Sequence, residues 1–193
     1  MNEVCFWDKR LKGTKDLFKT ITAFELDKNT SIYSAFNFLK LRQRLAGKKI
    51  SKLYVLCHGL VGSKKHTLFR GQVTVKYDYY FSGTIQLGSE TLDLWNVSKW
   101  SSIRGLVDII VVYACMAAHT GVGKTGTIKD GKLLMSRLAA ATQATVFAGE
   151  KSQLYNPDGL DFGKWEGRVY QFSPDGTYKE VSGGAVRALT GKI

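Results

Sequence analysis

Proline is almost missing from this chain, with two in 193 residues, and no low-complexity tract interrupts it. With 44% hydrophobic residues beside that scarcity, an intrinsically disordered chain is excluded. Long apolar runs are missing too: none approaches the roughly 20 residues that a membrane helix needs. The first residues, MNEVCFWDKRLKG, interleave charge with apolar positions, which argues against a secretory signal peptide. Cysteine is sparse and odd in number, with Cys5, Cys57 and Cys115 far apart. That spacing suggests neither a disulfide framework nor a zinc site, so no metal and no cofactor are expected, and a reducing compartment such as the cytoplasm suits the chain. Acidic residues are the last shortage. Sixteen Asp and Glu face 28 Lys and Arg, for a net charge of +12.

A balance that basic points to an acidic partner, either protein, nucleic acid or an anionic surface. The cations are nevertheless scattered, in small groups at Lys9 to Lys15, Lys40 to Lys49 and Lys64-Lys65. No recognition-module pattern accompanies them, which favours a solvated basic surface over a nucleic-acid groove. The length suits one domain with a real core.

What the chain does have is a run of β-branched residues, VDIIVVYACMAA from Val107 to Ala118, that stops at a lone cysteine followed by small residues. Its apolar continuity predicts a central parallel strand covered by helices on both faces, with Cys115 at the carboxyl end. That edge is where open α/β sheets bind ligands. KLYVLCHGL, from Lys52 to Leu60, has the same form and ends in His58-Gly59. Two neighbouring strands would bring an imidazole and a thiol to one rim.

Around these two strands the remaining elements are easier or harder to read. Glu3 to Trp7 fits a first strand, while Thr20 to Glu25 is a short apolar patch of undefined type. Ile32, Ala35, Phe36, Phe38, Leu39 and Leu45 keep a helical spacing, with Thr30 or Ser31 as N-cap and Gly47 as the stop. Between His58 and Trp95 short alternating segments separated by glycines predict a small antiparallel hairpin flap, with Tyr77, Tyr79, Tyr80 and Phe81 packed beneath it. Val97 to Ile103 reads as a helical turn. Leu133 to Ala141 reads as a helix, closing a strand-helix-strand crossover with Ala144 to Ala148. Trp165 to Phe172 is a further strand, turns fall at Asn156 to Gly159 and Pro174 to Gly176, and the last residues, EVSGGAVRALTGKI, are weakly specified.

Two motifs compete for the chemistry. AHTGVGKT, from Ala118 to Thr125, satisfies a loose phosphate-binding loop in which Lys124 meets the terminal phosphate and Thr125 the magnesium. Context argues against it: three residues separate it from the strand, and Gly126, Asp130 and Gly131 break the turn where a helix should begin.

The other motif is His58 with Cys115. A thiol becomes a nucleophile when an imidazole takes its proton, and main-chain N–H groups must then stabilise the oxyanion. Here His58 supplies the base, Cys115 the nucleophile, and the N–H groups of Gly59 and Cys115 the oxyanion hole. Glycine after the histidine lets the backbone approach a substrate carbonyl without a Cβ. A structural cysteine and an incidental histidine fit the same residues, and the placement of both at apolar strand ends favours the functional reading. Cys57 points to the opposite face from its neighbour and reads as core. His119 is an alternative base or a loop residue, and His66 beside Lys64 and Lys65 is an exposed loop residue. Glu150 and Asp161 follow the next strand. If either lines the pocket, a Lys or Arg side chain would be preferred before the scissile bond.

LYVLCHG followed by IIVVYAC resembles the caspase-like cysteine peptidases, in which a strand ending in His-Gly precedes one ending in Ala-Cys or a similar pair. The likeness is closest to bacterial caspase-like domains and runs from about Ile50 to Gly176 through CHGLVG, TIQLGSETLDLW, DIIVVYACMAA, TGVG, LLMSRLAAAT, ATVFAG and LDFGKWEGRVYQFSPDG. It implies a three-layer α/β sandwich, with a mainly parallel central sheet between helices and a small hairpin flap. It also implies a hydrolase that cleaves protein substrates through a His58–Cys115 dyad. The family often carries an acidic residue or glutamine two positions before the cysteine, lining the pocket for the side chain that precedes the cut. Tyr113 stands there, so the resemblance leaves the pocket's charge preference open. A compact, basic protease of this kind suits an effector or toxin delivered to another cell and restrained by an acidic inhibitor or immunity protein. The alternative is a noncatalytic binding module on the same fold, holding an acidic protein or nucleic acid on its basic surface.

Overall fold

The computed structural model describes residues 2–11, 21–60, 66–69, 72–75, 84–121, 123–127, 129–153 and 165–190. Expectations for Tyr77, Tyr79, Tyr80, Phe81 and Asp161, and for the turn at Asn156 to Gly159, lie outside those residues.

Alternating and continuous apolar runs build a seven-stranded sheet. Its strands are β1 (Glu3–Asp8), β2 (Thr22–Leu26), β3 (Ile50–Leu56), β9 (Val107–Tyr113), β10 (Thr145–Gly149), β11 (Val169–Phe172) and β12 (Tyr178–Val181). They lie in the order β12-β11-β10-β9-β3-β1-β2. The five strands from β10 to β2 run parallel, and β11 and β12 close the edge antiparallel. The run at Val107 takes the central place expected of it. Within the patch whose type the sequence leaves undefined, Thr22 opens edge strand β2.

Helix α1 (Ile32–Ala46) begins where the Ser31 side chain accepts from the Tyr33 N–H at 3.2 Å, and it ends at Gly47 in the left-handed conformation. Ile32, Ala35, Phe36 and Leu39 form its buried stripe. Burial of each large member is worth about 2 kcal/mol. Leu45, which shares the helical spacing, lies outside that stripe and is 73% exposed. Helix α2 (Gly131–Thr142) starts two residues earlier than its apolar pattern. The Asp130 carboxylate caps it by accepting from Leu133 N–H at 3.0 Å, so the residue read as a breaker is the N-cap.

With the 3₁₀ helix Val97–Ile103, α1 and α2 cover one face of the sheet, against Val4, Phe6, Leu53, Val55, Ile110 and Val112. On the opposite face Cys5, Trp7, Leu11, Tyr54, Leu56, Val111 and Tyr113 pack together. The weakly specified tail is in fact β12 and a third helix, α3 (Gly183–Thr190), which packs on this second face. Val186 meets Phe147 and Val169, and the Tyr54 hydroxyl donates to the Thr190 carbonyl at 2.7 Å. The fold is therefore α/β, mostly parallel, with helices on both faces.

The flap region holds two small antiparallel sheets. One joins β4 (His58–Leu60), β7 (Thr84–Leu87) and β8 (Glu90–Leu92); the other is the hairpin β5 (His66–Phe69) with β6 (Gln72–Val75). Among the described residues no helix is long and apolar enough to cross a membrane.

Candidate active site

Strands β3 and β9 are parallel neighbours, and Leu56 pairs with Tyr113 at their carboxyl ends. His58 and Cys115 each lie two residues beyond that last pair, His58 in strand β4 and Cys115 in the turn that follows β9. The chains stay in contact beyond the ladder. Cys57 N–H donates to the Tyr113 carbonyl at 3.4 Å, and Gly59 sits directly on Cys115. A Cβ on Gly59 would lie 1.6 Å from the Cys115 carbonyl oxygen, so only glycine fits. Up to the end of that ladder, Tyr54, Leu56, Val111 and Tyr113 all face the second core.

The backbone turns sharply at the thiol. Met116 adopts φ 55°, a left-handed conformation that costs a non-glycine residue about 1 kcal/mol. The turn is held by Met116 N–H donating to the Lys151 carbonyl and Ala118 N–H to the Gly149 carbonyl, each at 2.9 Å. Cys115 is left half-buried, with its Sγ 3.7 Å from the Gln153 carbonyl. Gln153 is itself buried and fixes this segment: its side-chain amide donates to the Lys151 and Glu166 carbonyls and its oxygen accepts from Glu166 N–H.

The other two thiols are of a different kind. Cys57 is 2% exposed, as its opposite phase requires, and Cys5 is fully buried. Burial pushes both thiols well above their ordinary range; the Asp8 carboxylate adds to the effect on Cys57, and Cys57 to that on Cys5.

Beside the Cys115 turn opens a cleft of about 630 Å³, lined by Met116, His119, Thr120, Lys132, Glu150, Lys151, Ser152, Glu166 and Arg168. Glu150 and His119 both line this cleft, whereas His58 and Cys115 are not among its lining residues. The Glu150 carboxylate is already engaged, accepting from Arg168 Nε at 2.8 Å and the Tyr170 hydroxyl at 3.2 Å. Burial would raise its pKa, but those two hydrogen bonds outweigh it and hold the carboxyl below the usual range. The cleft wall is more cationic than Glu150 alone suggests, since Lys132, Lys151 and Arg168 share it. Tyr113 does not line the cleft: it packs in the second core, 6% exposed and stacked on Trp165 at 4.6 Å between ring centroids. Burial pushes its hydroxyl up to about 12. His66 lies in β5, and its side chain is outside the described set.

The phosphate-loop reading does not fit. Helix α2 begins at Gly131, well after the exposed Lys124, and its N-terminus is filled by the chain's own Asp130. That carboxylate also accepts from Thr120 Oγ1 at 2.6 Å and Gly126 N–H at 2.8 Å, which ties the loop to the helix it caps.

Sequence reasoning missed Asp8. It ends β1 on the same rim, is wholly buried, and binds Arg10 and the turn between β7 and β8. The available signal was an acid directly following the apolar strand EVCFW.

Fold and site together define an α/β domain in which a histidine and a half-buried cysteine follow the carboxyl ends of two paired parallel strands. Comparison with protein-family models, curated proteins and solved structures finds no match.

Proposed function

We propose that this chain is a caspase-like cysteine endopeptidase acting through His58 and Cys115. The observation that carries the reading is the adjacency of two strand ends. His58 and Cys115 each follow the carboxyl end of one of two paired parallel strands, the Cys115 thiol is half-buried, and the two other cysteines are sealed in the core. In the proposed reaction His58 takes the thiol proton and Cys115 Sγ attacks the peptide carbonyl. The oxyanion is met by the N–H groups of Gly59 and Cys115. Collapse breaks the C–N bond as His58 returns the proton to the leaving amine. Water, deprotonated by His58, then adds to the thioester, and the C–S bond breaks to release the acid and regenerate the thiol. The basic surface suits an acidic inhibitor that restrains such a protease, in keeping with an effector delivered to another cell.

Incubation with a peptide library, read by mass spectrometry, tests the assignment. The wild-type chain is expected to cleave, and Cys115→Ala to be inert while melting at the wild-type temperature. Equal turnover by Cys115→Ala removes the thiol from the mechanism. A wild-type chain that cleaves nothing, yet binds an acidic protein at low salt, replaces the peptidase with a noncatalytic binding module.

A further inference from the structure

We propose that Asp8 is a positioning residue for His58, acting through the turn at Gly88 that anchors the small sheet to which His58 belongs. This rests on the reading of His58 as the base of the dyad. The histidine has left the main ladder: it lies in β4 and pairs with Gln86 of β7, only two residues from Gly88. Whatever fixes the β7–β8 turn therefore fixes the strand that carries the imidazole. Asp8, with no exposed surface, accepts from Gly88 N–H at 2.9 Å through Oδ2. Arg10 locks the carboxylate in place, donating from Nε to Oδ1 at 2.7 Å and from Nη2 to Oδ2. The same Nη2 donates to the Gly88 carbonyl at 2.8 Å, so both polar groups of Gly88 are tied to the end of β1. On the far side Ser89 N–H donates to the Thr30 carbonyl at 2.9 Å, and a Cβ on Gly88 would meet that carbonyl oxygen at 2.4 Å. The turn is clamped between β1 and the start of α1.

Alternation gives Asp8 the phase of Val4 and Phe6, toward the first core, while His58 belongs to a different sheet, paired with Gln86. The effect consequently travels through backbone and hairpin. A carboxylate buried this completely is costly unless every lone pair is used, and here the cost is met by holding one turn in one place.

The test is a double-mutant cycle on the alkylation rate of Cys115 by iodoacetamide at neutral pH, read by intact mass. It uses wild type, His58→Ala, Asp8→Asn and the double variant, each checked for folding by its melting curve. Asp8→Asn is expected to slow alkylation about fivefold in the wild-type background, the scale of coupling between neighbouring residues, and not at all in the His58→Ala background. The pH profile of Asp8→Asn should also move toward that of His58→Ala. Arg10→Lys, a milder change at a partly exposed side chain, should act in the same direction and serves if Asp8→Asn does not fold. Equal slowing in both backgrounds, or none in either, overturns the positioning role. If His58→Ala alone leaves the rate unchanged, the dyad itself is wrong, which is a distinguishable failure.

Discussion

Replacing Gly59 with alanine tests the closest contact at the rim. The added Cβ would lie 1.6 Å from the Cys115 carbonyl oxygen, 2.5 Å from its carbon and 2.9 Å from Cα, all backbone atoms that no rotamer change can move. To restore a separation of 3.0 Å the two strand ends must part by about 1.4 Å. Hydrogen bonds hold both sides, from Cys57 N–H to Tyr113 and from Met116 N–H to Lys151. Overpacking of this kind costs about 1–3 kcal/mol. In a chain of this size that lowers the melting temperature by roughly 2–12 °C. Under the proposed function, displacing His58 from Cys115 by about 1 Å would cost on the order of 100-fold in rate. The assays are a melting curve and kcat/KM on a cleaved peptide. Gly184→Ala is the control, because its Cβ meets nothing nearer than Ser182 Oγ at 3.5 Å and it sits in α3; its melting point should hold or rise slightly. An unchanged melting temperature in Gly59→Ala would refute the packing argument. A lowered one with full activity would refute the claim that this spacing serves the chemistry.

Further outcomes follow from burial and charge. Iodoacetamide should label native protein once, at Cys115, and reach Cys5 and Cys57 only after unfolding; two or more adducts on the folded chain would contradict their burial. Asp130→Ala removes the cap of α2 together with the bonds to Thr120 and Gly126, and should cost about 1–2 kcal/mol in urea unfolding, where a loss below a few tenths would refute the cap. Burial raises the carboxyl pKa of both Asp8 and Asp130, but their hydrogen bonds outweigh it and bring each below its ordinary value in the folded chain. Their contribution is complete above the unfolded value, near 3.9, and is lost as pH falls through the folded values. Asp8→Asn should therefore flatten the acid limb of a stability profile taken from pH 6 to pH 3, and an identical limb would show that Asp8 carries none of it.

How much of this was legible beforehand depends on how local each cause is. The stripe of α1 and its caps at Ser31 and Gly47 are set within a few turns of chain, and the period gives them directly. The strand ending at Cys115 declares itself by continuous burial. Edge strands do not: Thr22–Leu26 is half-covered and Tyr178–Val181 mostly exposed, so neither shows the alternation that a one-sided core imposes. Asp130 reads as a breaker until Gly131 is seen to open a helix. At the candidate site, both strand ends are visible in sequence because each closes with small residues. Asp8 is not, since its task is defined by Gly88, 80 residues away. Likewise nothing near Tyr113 announces that Trp165 will stack against it.

The division of His58 and Cys115 between two sheets has a mechanical consequence. Cys115 is fixed to the main sheet by Met116 and Ala118, whose N–H groups grip the segment from Gly149 to Lys151. His58 leaves that sheet at Cys57 and is carried by the three-stranded sheet of β4, β7 and β8. In the proposed dyad, a small movement of that sheet would change the distance from imidazole to sulfur while breaking neither ladder. Gly59 already touches the Cys115 carbonyl, so approach is blocked and only separation is open. Asp8 and Arg10 oppose separation by holding the far turn of the same small sheet. Contact at one end and the ion pair of buried Asp8 with partly exposed Arg10 at the other thus bracket the proposed base, which is why a glycine and an aspartate 51 positions apart should share one kinetic phenotype.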